Sequence, residues 1–143
     1  FVAMLAKMTD NTDVSLSKAA GFTDVAAGDW YYGYVNWGYE NGIVNGMGDG
    51  TFAPNSSITR EQMAVMLCNY ARSIGFALPQ TGSVPAFSDA GRISTWAADY
   101  VATSAGAGII NGFDTGDFRP QGIATRAQAA TVIYKMCQIR GIL

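Results

Sequence analysis

The chain has 143 residues, 49% of them hydrophobic and 14% charged, with a formal net charge of −2 and no histidine. That length and apolar content suit a folded domain with a core, and the near-neutral charge excludes the broad basic field that nucleic acid or an anionic membrane would need. Without histidine there is no Ser-His-Asp triad, no Cys-His nucleophile and no histidine-ligated zinc, and no apolar run approaches the ~18 residues of a membrane span.

The first segment, "FVAMLAKM", lacks the basic stretch and cleavage site of a secretory leader. It places Phe1, Met4, Leu5 and Met8 at helical spacing. A linker from Thr9 to Ala20 follows, then "FTDV" at Phe22 to Val25. A short helix is predicted from an Asp29 cap, just before Trp30, to Gly42 as a left-handed stop. A glycine-rich loop closing at Pro54 leads to Thr59-Arg60-Glu61-Gln62, the spacing of a capping box. The long helix behind it carries an apolar stripe of Met63, Met66, Leu67, Tyr70, Ala71 and Ile74.

After a second linker, Phe76 to Pro85, the series starts again. "FSDA" (Phe87 to Ala90) answers "FTDV". A short helix is predicted from Ser94 or Thr95 to Gly108, and "GIING" stands over "GIVNG". Thr125-Arg126-Ala127-Gln128 is a second capping box, followed by Val132, Ile133, Met136 and Cys137 on one face. An offset of 66 aligns Trp30 with Trp96, Gly50 with Gly116, Pro54 with Pro120 and Arg60 with Arg126. The first eight residues fall on Met63 to Tyr70 and on Ala129 to Met136, as the tail of an earlier copy. The predicted organisation is 1–20 as a remnant, 21–85 as a second repeat and 86–143 as a third. The expected fold is all-α: helix-loop-helix repeats whose three long helices form a bundle with shorter helices outside. The chain is expected to come from something longer, with a preceding segment or a partner chain completing the first repeat.

Cys68 and Cys137 are too far apart for a CxxC motif and are expected to be two buried thiols, with a bridge between their helices as the alternative in an oxidising compartment. "GMGDG" has no Gly-Lys-Ser/Thr behind it. The oxygens of "GDGTFAPNSSITRE" miss the alternation of a calcium loop. Glu40 and Glu61 are not repeated, which leaves no paired carboxylates for glycoside hydrolysis. No metal, cofactor or catalytic group is expected.

Thr and Gln of each box start a helix, but arginine at its first position is unusual, because unpaired amides already make that turn positive. Arg60 and Arg126 either hold a carboxylate or phosphate or brace the loop by pairing with Asp24, Asp89 or Asp49. Trp30 and Trp96 read as core by their apolar neighbours. Trp37 with Tyr31, Tyr32, Tyr34 and Tyr39 exceeds what one short helix can bury and suits a half-wet sugar groove.

Taken together, F-x-D-V, W, V, G-I-V-N-G, D-G-T-F-x-P and I-T-R-x-[EQ] resemble the S-layer homology (SLH) motif, over Phe22 to Gly75 and again over Phe87 to Arg140. The resemblance implies a pseudo-threefold pod at the extracellular bacterial cell wall or S-layer. It also implies non-covalent anchoring through a pyruvylated secondary wall polysaccharide, with no nucleic acid and no membrane insertion. A structural or protein-interaction role without glycan is the alternative. The ligand residues it implies are Thr59, Arg60, Thr125 and Arg126, with Trp30, Trp96, Asp24, Asp89, Asp49, Gly50 and Gly116 around them. Both boxes end in Gln where the family usually has Glu, and Gly116-Asp117-Phe118 replaces Gly-Thr-Phe, so the second groove is expected to be altered.

Overall fold

The computed structural model describes residues 1–9 and 12–142. Asp10 and Asn11 of the expected first linker, and Leu143 of the expected third repeat, lie outside the described residues. The chain divides into two compact units, Phe1–Ser56 and Ser57–Leu143. The division falls inside the second repeat, between its loop and its long helix. Each unit therefore joins a long helix to the short helix and loop of the repeat that follows.

Unit 1 holds α1 (Val2–Lys7), a 3₁₀ turn (Val14–Leu16) and α2 (Tyr32–Glu40). Leu5 of α1, Val35 of α2 and Ile43 just beyond it are buried almost completely. Unit 2 holds α3 (Arg60–Ser73), a 3₁₀ turn (Ala90–Arg92), α4 (Ala98–Gly106) and α5 (Arg126–Arg140). Among the described residues the regular elements are all helical, and the one extended pairing is an isolated antiparallel bridge between Thr59 and Ile123.

The long-helix stripes fall where their spacing puts them. On α3, Met63, Leu67, Tyr70 and Ala71 are buried and Met66 and Ile74 half-buried; on α5, Val132 and Met136 are buried. Both capping boxes are formed in full. Gly42 and Gly108 adopt φ of +67° and +71°, each ending its short helix. Beyond them Ile43 N donates to Gly38 O at 2.8 Å and Ile109 N to Ser104 O at 3.0 Å, the wrap-back that satisfies terminal carbonyls.

The short helices begin later than their caps suggest. Asp29 turns its carboxylate back onto Ala26 N at 2.8 Å, closing a turn of its own, and α2 starts only at Tyr32. Ser94 is engaged too: its amide and hydroxyl donate to the Glu61 carboxylate at 3.0 and 2.8 Å. α4 then starts at Ala98 behind Ala97, without a side-chain cap. The same delay corrects the tryptophans. Trp30 and Trp96 precede their helices, so helical periodicity never governs them, and they are 76% and 54% exposed, not core. Trp37, inside α2, is buried.

Candidate functional site

Each unit builds its loop with the same brace. In unit 1 the Asp24 carboxylate accepts from Phe52 N at 2.8 Å and Ala53 N at 2.7 Å, while Thr23 N donates to Gly50 O at 3.0 Å. In unit 2 Asp89 accepts from Phe118 N at 2.7 Å and Arg119 N at 2.8 Å, while Ser88 N donates to Gly116 O at 2.9 Å. The braced bend is strained, since Ala53 and Arg119 both sit at φ +58°, a region that residues with a Cβ enter at a cost. Hydrogen bonding, first from the Phe52 amide, holds the Asp24 carboxyl below the usual carboxylate range. The phenylalanine of each Phe-x-Asp closes the loop from below. A Cβ on Gly46 would overlap the Phe22 ring, and one on Gly112 would lie 2.7 Å from Phe87.

The loop tips exchange residues without losing their bond. Asp49 accepts from Thr51 N at 3.0 Å and Thr51 Oγ1 at 2.6 Å. In the third repeat the two types trade places, and the Thr115 hydroxyl donates to Asp117. Asp117 also pairs with Arg119 Nε at 2.6 Å. The aspartates thus hold backbone amides and neighbouring hydroxyls, and within unit 2 Asp89 forms no ion pair with Arg60.

Arg60 braces the second loop by another route. The Thr59 hydroxyl accepts from Gln62 N at 3.2 Å. The next two amides go to loop carbonyls: Arg60 N to Gly122 O at 2.9 Å and Glu61 N to Pro120 O at 3.1 Å. The start of α3 is therefore not an open anion hole. Its side chain, 5% exposed, donates from Nε to Phe118 O at 2.7 Å and from Nη2 to Asn111 O at 2.6 Å. The guanidinium carbon lies 4.6 Å from the Phe113 centroid and 4.8 Å from that of Phe118. Burial, and then the Arg119 cation, lower the Arg60 pKa from its ordinary value. These bonds occupy one edge of the planar fork. Nη1 has no acceptor among the described residues.

Arg126 shares the capping geometry, with Gln128 N donating to Thr125 Oγ1 at 3.1 Å. Its side chain, though, is exposed and has no hydrogen-bond or ion-pair partner among the described residues. Arg60 and Asp89 thus meet at one loop, and Asp24, Asp49 and Gly50 meet at the other. Arg126 has no bond to the unit 2 cluster. Trp30 makes edge contacts with Tyr31 and Tyr34, at 5.5 and 6.4 Å between centroids.

Sequence reasoning missed Asn111, Phe113, Arg119 and Glu61. Arg119 stacks 4.1 Å from the Phe113 centroid, so two guanidiniums share that ring. The available signal was a departure from the repeat, since Phe113 and Arg119 stand where the second copy has Met47 and Ala53.

A family model described as S-layer homology domain matches residues 21–64 and 86–130, more than half of the chain. The chain belongs to the S-layer homology family. Membership makes it a cell-surface module, associated with the bacterial wall and of the anchoring kind. The chain is 38% identical over 99% of its length to an amylopullulanase of Thermoanaerobacterium thermosulfurigenes, of which it covers 7%. It is 37% identical over 96% of its length to the exoglucanase XynX of Acetivibrio thermocellus, covering 12%. It is 34% identical over 89% of its length to the S-layer protein EA1 of Bacillus anthracis, covering 14%. The chain thus spans a small fraction of these relatives. No helix among the described residues is long and apolar enough to cross a membrane.

Proposed function

We propose that this SLH module anchors a surface protein by binding a pyruvylated secondary wall polysaccharide, with Arg60 receiving the ketal carboxylate. The observation that carries the reading is the half-used fork of Arg60. Two carbonyls and two aromatic rings fix the plane of the guanidinium, while Nη1 has no acceptor among the described residues. A pre-oriented planar donor pair suits a carboxylate and loses little entropy on binding. Arg119, stacked on the same Phe113 ring, adds a second cation at that loop. The exposed Trp30 and Trp96 offer ring faces to sugars, and the exposed fork of Arg126 is a second anion contact. Thr59, Thr125, Asp24, Asp89, Asp49, Gly50 and Gly116 act by holding helix starts and loops in place. The pseudo-threefold pod, and the external wall as its setting, belong to the same proposal. Catalysis is assigned to other parts of the parent protein.

Calorimetric titration with pyruvylated and depyruvylated wall polymer tests the reading. Arg60→Lys keeps the charge but not the fork, and a charge-assisted bond contributes about 1.5–3 kcal/mol, roughly 10- to 150-fold in affinity. The variant is expected to lose about that factor on pyruvylated polymer and nothing on the depyruvylated form. Wild type binding both polymers equally would overturn the proposal and favour a module without glycan recognition.

A further inference from the structure

Twelve residues along α3 from Arg60, about 18 Å at the helical rise, unit 2 contains a recess of about 460 Å³ between α3 and α4. Its apolar side is made by Ala71, Phe76 and Leu78, and Arg72, Asp99 and Tyr100 border it. Cys68, Gly75, Ala77 and Thr103 complete the wall. The linker that closes it is pinned, since Gln80 Nε2 donates to Thr103 O at 3.3 Å and Thr81 N to Gly106 O at 3.2 Å. In unit 1 the position equivalent to Asp99 is closely packed. There Gly33 replaces Asp99 in the repeat, and a Cβ on it would lie 3.0 Å from Val14 O and 3.1 Å from Val14 Cγ2.

The charges around the recess decide what it can hold. Arg72 lies over Tyr100, 5.8 Å from the ring centroid, with one long contact to Asn69 Oδ1 at 3.4 Å. Arg72 and Asp99 border one cavity without forming an ion pair with each other. A purely apolar ligand would strip water from both charges and return nothing. An anion would meet Asp99. A neutral sugar ring answers both needs: its C–H face covers Ala71, Phe76 and Leu78, one hydroxyl donates to Asp99, and ring or hydroxyl oxygens accept from Arg72. The volume lies within the range of small-ligand sites.

We propose that the recess between α3 and α4 is a subsite for a neutral pyranose residue of the wall polymer, separate from the anion contact at Arg60. This rests on the wall-polymer reading, and depyruvylated polymer separates the two, because it lacks the carboxylate that Arg60 would receive. Titration followed by amide NMR is expected to show weak binding of depyruvylated polymer, with shifts at Asp99, Tyr100 and Thr103. Asp99→Ala and Arg72→Ala, both at exposed positions, should each weaken that binding about tenfold with helical circular dichroism unchanged. Ala77→Trp, at an exposed position of the lining, should abolish it by filling the recess. Variants that bind depyruvylated polymer as wild type does, or shifts that avoid these residues, would overturn the subsite and leave the Arg60 reading standing. Loss of discrimination between the two polymers, with the Asp99 effect intact, would overturn the Arg60 reading alone.

Discussion

Arg60 and Arg126 hold the same place in the same motif, yet removing them should have very different effects on the fold. Arg60→Ala deletes two charge-assisted bonds, to Phe118 O at 2.7 Å and Asn111 O at 2.6 Å. It also empties the space between Phe113 and Phe118, 4.6 and 4.8 Å from the guanidinium. Bonds to a charged donor contribute about 1.5–3 kcal/mol each, and the buried Phe118 carbonyl left unpaired adds its desolvation cost. Partial relaxation of the loop offsets some of this, so the expected loss is about 3–5 kcal/mol. For a chain of this size that lowers Tm by roughly 10–20 °C. Arg126→Ala removes an exposed, unpartnered side chain, and surface changes of that kind stay within about 0.5 kcal/mol. Thermal unfolding followed by far-ultraviolet circular dichroism measures both. Equal melting points for the two variants would refute the socket as a source of stability.

Two further outcomes follow from the titrating groups. Hydrogen bonds hold Asp24, Asp49 and Asp117 below their ordinary value of 3.8. A depressed folded pKa means stability fully present above that value and lost as pH falls through the folded one. Protection of the Thr51 and Phe52 amides, measured against their intrinsic exchange rates, should therefore fall below about pH 4, and Asp24→Asn should weaken that response at Phe52; protection independent of acid would count against the brace. Burial pushes the Cys68 thiol up to about 12, leaving about one molecule in ten thousand ionised at pH 8. A thiol reagent at that pH should label Cys68 only under denaturant, and rapid native labelling would contradict its packing.

What could be read from the sequence was mostly local. Thr59 and Gln62, or Thr125 and Gln128, complete their bonds within four residues, so spacing alone announces them. Gly42 and Gly108 are legible for the same reason: a helix end needs positive φ where it stops. The failures are side chains claimed from elsewhere. Ser94 has the chemistry of a cap, but Glu61, 33 residues earlier, takes its hydroxyl. Asp29 has it too, and spends it on Ala26. The socket of Arg60 is further out of reach, because its acceptors lie 51 and 58 residues downstream and are carbonyls, which carry no sequence signature. Exposed tryptophans ahead of a helix look like core only if the helix is begun too early.

The duplication keeps the brace and varies the tip, and that distinction bears on recognition. Phe-x-Asp, Gly46 or Gly112 and the positive-φ bend recur because the backbone path requires them. The tip residues are freer, as the trade of Asp49 and Thr51 for Thr115 and Asp117 shows, since either order closes the same turn. Charge at the tips is not conserved by that freedom. The unit 1 loop carries Met47 and Ala53 with Asp24 and Asp49 close enough for Asp49 to oppose ionisation of Asp24. The unit 2 loop carries Asp89, Asp114 and Asp117 but sets against them the guanidiniums of Arg60 and Arg119, both stacked on Phe113. On the proposed reading an anionic sugar is favoured at the second loop and repelled at the first. A change at the tip, such as Arg119→Ala, should then lower affinity for pyruvylated polymer with the Asp89 brace intact. Replacing Ala53 by arginine should add an anion contact to the first loop without altering its path.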